Sequence, residues 1–84
     1  MTPFKIIWDE KAHESLDKLE PIISTRIFKK VEELAENPYS KDIKRLKGTT
    51  SCRLRVGDYR VIFEIAGDII QILKVGHRKN IYAR

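Results

Sequence analysis

The apolar positions in the first part of the chain change their period near Asp9. Residues 4–8 form a short apolar run rich in β-forming side chains, which predicts a first strand. Asp9 is a good N-cap for a helix that begins at Glu10. The following apolar residues recur at helical spacing and give that helix one apolar stripe: Ala12, Leu16 and Leu19.

A second helix is predicted directly after the first. Glu20-Pro21 interrupts the first helix, and proline suits the first turn of a new one. Apolar residues continue at helical spacing until Asn37-Pro38 ends the run: Ile23, Ile27, Val31 and Leu34. The two helices form a hairpin whose apolar stripes are available to cover one face of a sheet.

The rest of the chain alternates apolar and polar residues, which predicts strands joined by tight turns. The predicted strands cover residues 43–47, 52–56, 59–65 and 69–76. Gly57-Asp58 is a two-residue hairpin signal, and Ala66 to Asp68 forms the next turn. The predicted fold class is therefore α+β, with an N-terminal strand, a two-helix hairpin and an antiparallel β-meander, and with the helices packed on one face of the sheet.

The Gly57-Asp58 turn sets the register of the hairpin on either side of it. The predicted pairs are Val56 with Tyr59, Arg55 with Arg60, and Arg53 with Ile62. Because cross-strand partners share a face, Arg53, Arg55 and Arg60 converge on one side of the sheet. Guanidinium groups this close repel one another, so the pattern predicts an anionic partner for this surface. Cys52 and Leu54 are expected on the opposite, core side.

Two registers remain open across the second turn. A three-residue loop places four residues on the face of Arg60: Ile70, Ile72, Lys74 and Arg78. It leaves Leu73 and Val75 in the core. A two-residue loop places the same four on the opposite face, unless a bulge at Gly76 resets the pattern. The three-residue loop gathers the positive charges and is the register that we predict.

Length and charge narrow the class of protein. A chain of 84 residues predicts one domain over residues 1–84. A net charge of +5 favours a polyanionic partner, which could be RNA, DNA, an acidic protein or an anionic membrane surface, although many small basic proteins bind no nucleic acid. The single cysteine, Cys52, excludes an intramolecular disulfide. Neither a membrane-spanning run nor a secretory signal is visible, so a cytoplasmic protein is expected.

The end of the chain carries candidate chemistry. Residues 75–84 bring histidine, arginine and tyrosine beside the arginine face. Guanidinium forks suit phosphate oxygens, tyrosine stacks on bases or moves a proton, and histidine titrates near neutrality. The pattern suits the binding and cleavage of a phosphodiester, although a solvated basic tail would look similar. No metal-ligand spacing and no phosphate-cradling glycine loop is present, so we expect neither a metal nor a cofactor.

Several segments together resemble the RelE toxins of the RelE/ParE superfamily: residues 44–48, 52–55, 57–64, 75–78 and 81–82. The resemblance covers essentially the whole chain and implies a RelE-like fold. It implies a toxin of a type II toxin–antitoxin system that enters the ribosomal A site. There it would cleave mRNA without metal, through attack of a ribose 2′-OH on the adjacent phosphate. It also implies a cognate acidic antitoxin of RelB type and no membrane partner.

The resemblance assigns catalytic roles to three positions. Arg60 matches the arginine of a Tyr-Arg motif, Arg78 an arginine near the chain end, and Tyr82 the terminal tyrosine. The two arginines would stabilise transition-state charge. A cationic surrounding favours phenolate, so Tyr82 is the expected general base, with His77 as the alternative.

Four other basic residues are assigned to RNA binding: Arg53, Arg55, Lys47 and Lys74. Arg53 and Arg55 depart from the family, because they match positions that are often lysine. Arginine in a protein does not release its proton, so neither of them can act as a base. The chain also ends at Arg84, so we expect it to lack the additional C-terminal helix of some relatives.

Two other functions stay open on the sequence. One is a ParE-like DNA gyrase inhibitor without nuclease activity, and the other is a non-catalytic RNA-binding module or decayed toxin. The arginines with Tyr82 favour the nuclease, whereas the missing lysines favour a protein without catalysis.

Overall fold

The computed structural model describes residues 4–39 and 42–81. The elements are β1 (Lys5–Trp8), α1 (Glu10–Asp17), α2 (Pro21–Leu34), β2 (Ile43–Arg45), β3 (Ser51–Val56), β4 (Tyr59–Ala66) and β5 (Ile69–His77). The predicted α+β class and the order of the elements are confirmed. Strand β2 is shorter than predicted, because pairing with β3 ends at Arg45.

The strands form one mixed sheet in the order β1-β5-β4-β3-β2. Strands β2 to β5 make the predicted antiparallel meander. Strand β1 lies parallel to β5, with Ile6 beside Ile70 and Trp8 beside Ile72. The start of α1 is tied to the same strand, since the backbone N–H of Asp9 donates to the carbonyl oxygen of Ile72 at 2.9 Å. The first strand therefore lies at one edge of the sheet, beside the last strand.

The helices cover one face of the sheet and build the core against it. The buried apolar residues of the helices are Ala12, Leu16, Ile27, Val31 and Leu34. Those of the sheet are Leu54, Val56, Val61, Phe63, Ile70, Ile72 and Val75. Pro21 occupies the first turn of α2, as predicted, where its missing N–H costs no helical hydrogen bond. The opposite face of the sheet carries polar residues of β3, β4 and β5 together with Ile62.

The register of the first hairpin is confirmed in full. Val56 pairs with Tyr59, Arg55 with Arg60, and Arg53 with Ile62. Gly57 has a φ of 59°, a left-handed conformation that glycine adopts without strain. This short turn fixes which side chains of β3 and β4 share a face.

The predicted length of the loop between β4 and β5 is wrong. Ala66 pairs with Ile69, so the turn has two residues rather than three. Ile70 and Ile72 consequently lie in the core instead of on the face of Arg60, and each is 0% exposed. Burying these isoleucines fixes the register near the turn, because a shift of one residue would move them to the open face.

A bulge at Leu73 then resets the pairing. Phe63 pairs with Ile72, whereas its neighbour Ile62 pairs with Lys74, which leaves Leu73 as the additional residue. Leu73 is half-buried and not part of the core, contrary to the prediction, while Val75 lies in the core as predicted. Lys74 returns to the face of Arg60. The predicted position of Lys74 is thus reached by a bulge and not by the length of the loop.

The two hairpin glycines offer a matched test of the turns. Gly57 and Gly67 have φ values of 59° and 63°, and a Cβ at either would meet no atom closer than 3.6 Å. Replacement by alanine therefore adds backbone strain without a clash. We expect Gly57→Ala and Gly67→Ala each to lower the free energy of unfolding by about 1–2 kcal/mol in urea titrations. Asp68→Ala, beside Gly67, should change it by less than about 0.5 kcal/mol. Wild-type stability in both glycine variants would contradict the turn conformations.

Candidate functional site

The face of the sheet that the helices leave open carries a cluster of cations. We call it the basic face and define it by Lys44, Arg53, Arg55, Arg60 and Lys74. Strand pairing aligns Lys44, Arg53, Ile62 and Lys74 in one row across β2, β3, β4 and β5. The adjacent row holds Arg55, Arg60 and Gly76. Three of the strands thus bring the predicted RNA-binding residues Arg53, Arg55 and Lys74 together with Arg60.

Arg55 has an anionic partner within the chain. Its Nη2 lies 3.1 Å from Oδ1 of Asp42, a half-buried carboxylate just before β2. The other oxygen of Asp42 lies 4.0 Å from Nζ of Lys30 on α2. The backbone N–H of Arg55 also donates to the carbonyl oxygen of Asp42 at 3.0 Å. Asp42 therefore offsets part of the repulsion expected among the arginines.

Arg60 bends over the turn that precedes it. Its Nη1 donates to the carbonyl oxygens of Gly57 at 2.9 Å and Tyr59 at 2.8 Å. These backbone acceptors draw the guanidinium away from Arg55, its cross-strand partner. A guanidinium carries five N–H donors, so Arg60 retains the capacity to meet a phosphate with Nε and Nη2.

Arg78 lies at the same end of the hairpin as Arg60. Its backbone N–H donates to the carbonyl oxygen of Asp58 at 2.8 Å, and its Nε lies 3.7 Å from Oδ1 of that residue. Gly76, two residues earlier, pairs directly with Arg60. The fold therefore brings the two arginines predicted to be catalytic to one edge of the basic face, where Asp58 of the turn contacts Arg78.

His77 faces the other side of the sheet. It pairs with Tyr59, and their rings meet edge to face with centroids 5.3 Å apart. Its Nδ1 accepts the backbone N–H of Lys79 at 3.1 Å, so the imidazole fixes the turn that follows β5. The structure thus separates His77 from Arg60 by the thickness of the sheet. Tyr82, the predicted base, lies outside the described residues.

Lys47 and Lys44 complete the distribution of basic residues. Lys47 is exposed in the loop between β2 and β3, beyond the paired part of the sheet. Lys44 was not among the predicted site residues, although it pairs with Arg53 on the basic face. The position of Lys44 could have been predicted from Ile43, because an apolar residue on the core side of a strand places its neighbour on the other face. Arg45, by the same rule, points to the core side with Cys52.

An apolar groove lies on the core side of the sheet at the β2 edge. Its volume is about 460 Å³, and it is lined by Pro38, Tyr39, Ile43, Arg45, Thr50, Cys52 and Ile65. Tyr39 is 77% exposed beside it. The thiol of Cys52 faces this groove and is half-buried, in keeping with its predicted position on the face of Leu54.

The part of the chain that the structure describes shows neither a cluster of metal ligands nor a helix able to cross a membrane. Across residues 4–39 and 42–81, no three His, Cys, Asp or Glu side chains gather as the ligands of an ion would. None of the helices in the same residues combines the length and the apolar composition that a membrane crossing requires.

Comparison with known proteins places this geometry in a family. The family model described as the ParE toxin of type II toxin–antitoxin systems, parDE, matches residues 6–82. The chain belongs to the RelE/ParE superfamily of type II toxins. The RelE toxin from the RelB–RelE complex of Methanococcus jannaschii has 32% sequence identity and a TM-score of 0.75, with 90% of this chain and 94% of that chain covered. The predicted resemblance to RelE is confirmed.

Other RelE toxins have the same fold. The archaeal RelE–RelB complex from Pyrococcus horikoshii OT3 matches with 27% identity and a TM-score of 0.81, covering 95% of this toxin and 99% of that chain. The RelBE2 complex from Mycobacterium tuberculosis matches with 26% identity and a TM-score of 0.82, covering 90% and 99%. Toxin RelE3 of Methanocaldococcus jannaschii is 47% identical over 47 residues, or 55% of this toxin. That match spans about half of the curated relative, 53% of its length.

Proposed function

We propose that this toxin is a ribosome-dependent mRNA endoribonuclease of the cytoplasm that inhibits translation by cutting mRNA in the A site. The observation that supports it is the meeting of Arg60 and Arg78 at one edge of the basic face. Both guanidiniums lie beside the Gly57-Asp58 turn, and Arg55 and Arg53 extend the same charged surface across β3. A phosphodiester that crosses this edge would meet cations on two sides.

The chemistry follows from the charge that develops on the phosphate. The ribose 2′-oxygen loses its proton and attacks the adjacent phosphorus, the bond to the 5′-oxygen breaks as that oxygen takes a proton from water, and a 2′,3′-cyclic phosphate forms. The transition state concentrates negative charge on the phosphate oxygens, where Arg60 and Arg78 donate N–H groups. Arg53, Arg55, Lys74 and Lys47 bind phosphates of mRNA and of the ribosome. Such contacts carry no base identity, so codon preference must arise from stacking and from the ribosome.

Proton removal from the 2′-OH is assigned to Tyr82. Arginine cannot take a proton, and His77 faces Tyr59 on the opposite side of the sheet from Arg60. Tyr82 follows directly after Ile81, which lies over the basic face at Gly76. Phenolate formation is favoured where guanidiniums gather.

We expect Tyr82→Phe to reduce the rate of cleavage by about 10²- to 10⁴-fold, because the phenol that accepts the proton is lost. Ribosome affinity should stay within about twofold, since no cationic contact is removed. Single-turnover cleavage at saturating toxin measures the rate. His77→Gln serves as the companion variant, and a large loss of rate in His77→Gln with none in Tyr82→Phe would transfer the role to histidine.

The cognate antitoxin is proposed to be an acidic protein of RelB type. Three similar solved structures are RelB–RelE complexes. A toxin with a net charge of +5 offers electrostatic complementarity to an acidic segment laid over the basic face. The antitoxin would then compete with mRNA for the same arginines.

One observation favours a second function. The family model that matches residues 6–82 is described by the name ParE, which keeps DNA gyrase inhibition as the alternative. Expression of the toxin in cells with two reporter messages, one of them without a start codon, separates the two. New 5′ ends in the translated message alone, with arrest of protein synthesis, support the nuclease. Intact messages together with a DNA-damage response would overturn it in favour of gyrase.

A further inference from the structure

Ile81 is buried in an unusual place. It is 3% exposed, and it lies outside the core between the helices and the sheet. The chain reaches this position through a tight turn after β5, in which the N–H groups of Asn80 and Ile81 both donate to the carbonyl oxygen of His77 at 2.8 and 2.9 Å. The turn therefore folds back toward the sheet and delivers one apolar side chain to it.

Gly76 makes the space that Ile81 occupies. It pairs with Arg60, so a side chain at this position would project onto the basic face. A Cβ built on Gly76 would lie 3.0 Å from Cδ1 of Ile81, closer than ordinary van der Waals contact. Ile62 is diagonal to Gly76 on the same face and is only 9% exposed. Ile81 thus seats in a small apolar notch within a surface of arginine and lysine.

We propose that Ile81 is a positioning residue for the cleavage reaction, because its seat over Gly76 holds the turn that carries Arg78 beside Arg60. This inference rests on the proposed function. Arg78 lies between the two fixed points of the turn, the backbone bond to Asp58 and the seat of Ile81. Its exposed ion pair with Asp58, at 3.7 Å, contributes little by itself to holding the side chain. Release of Ile81 would leave this turn held by its hydrogen bonds to Asp58 and His77 near the surface, without a buried apolar contact.

The cleavage activity and the susceptibility to trypsin test the role of Ile81 independently. We expect Ile81→Ala to cut A-site mRNA about 10- to 100-fold more slowly at saturating toxin, with ribosome affinity within about twofold of wild type. Ile81→Val, which keeps most of the apolar side chain, should restore the rate to within about threefold. Gly76→Ala, which fills the notch, should reproduce the loss of rate with every charged group still present. If Ile81 only stabilised the fold, its replacement would not lower the cleavage rate while leaving the ribosome affinity unchanged.

Digestion by trypsin tests the conformation of the turn independently of the cleavage activity of the toxin. Arg78 and Lys79 are tryptic sites inside the turn, so Ile81→Ala and Gly76→Ala should be cut there faster than wild type, as followed by mass spectrometry. Val75→Ala is the matched control, since Val75 is 5% exposed on the core side of the same strand. It should lose stability but keep the wild-type rate per folded molecule and the wild-type tryptic pattern at Arg78.

The outcomes are distinguishable from a failure of the proposed function. Active wild type beside an equally active Ile81→Ala would overturn the positioning role alone. Rate and ribosome affinity that fall together in Ile81→Ala would overturn it as well, in favour of a role in binding. A folded wild type that leaves ribosome-bound mRNA intact would overturn the proposed function, and the positioning role with it.

Discussion

Replacement of Arg60 by alanine is expected to slow mRNA cleavage by about 10²- to 10³-fold, the loss typical of removing one donor to a transition-state oxyanion. Arg60 lies at one edge of the basic face, opposite Arg55 and beside the turn that meets Arg78. Its free-state partners are the carbonyl oxygens of Gly57 and Tyr59. The free energy of unfolding should change by less than about 1 kcal/mol, because these acceptors lie near the surface and can bond to water.

Two companion variants sharpen this prediction. Arg60→Lys keeps the charge but loses the bidentate fork, so an intermediate rate is expected. Lys29→Ala removes a charge of the same sign from the exposed side of α2 and should retain the wild-type rate. Single-turnover cleavage on programmed ribosomes measures all three. Equal rates in Arg60→Ala and Lys29→Ala would contradict the catalytic role of Arg60.

Replacement of Phe63 by alanine is expected to lower the free energy of unfolding by about 3–5 kcal/mol. Phe63 is 0% exposed and is the largest of the fully buried side chains, in β4 at the middle of the sheet. A domain of this size has a total stability of roughly 4–13 kcal/mol, so the loss is a large share of the total and, at the lower end of that range, leaves the variant partly unfolded. Urea unfolding followed by circular dichroism measures the difference.

Phe28→Ala is the control for the loss of an aromatic ring. Phe28 stacks on Trp8 with centroids 6.3 Å apart, but it is 46% exposed. Removing it should cost about 1–2 kcal/mol, since less apolar surface returns to water. A smaller loss in Phe63→Ala than in Phe28→Ala would contradict the described core.

Local signals predicted the first hairpin and failed at the second. The register around Gly57-Asp58 follows from a two-residue turn and strict alternation, both of which are visible in the sequence. The bulge at Leu73 has no such signal. It satisfies two distant demands, since Ile72 must lie in the core opposite Phe63 while Lys74 lies opposite Ile62. The parallel placement of β1 beside β5 is likewise set by the packing of the helices and not by any local pattern.

The candidate site was predicted unevenly for similar reasons. Arg53, Arg55 and Arg60 were found because one turn fixes their faces. The carboxylate that moderates the charge of Arg55 was missed, because Asp42 reaches Arg55 from a separate loop. The seat of Ile81 was also missed, since an isoleucine near the chain end carries no signal until Gly76 is seen beneath it. A contact between a loop and a separate strand decides the first of these features, and a turn that folds back onto its own strand decides the second.

The most direct test of the proposed function uses purified ribosomes programmed with a defined A-site codon. Wild-type toxin and an Arg78→Ala variant are added to these ribosomes and to the same mRNA free in solution. The account predicts a cut at the A-site codon by wild type alone, only on the ribosome, with a cyclic phosphate at the new 3′ end. Intact mRNA on the ribosome with folded wild-type toxin, or cleavage of free mRNA at the same rate, would contradict it.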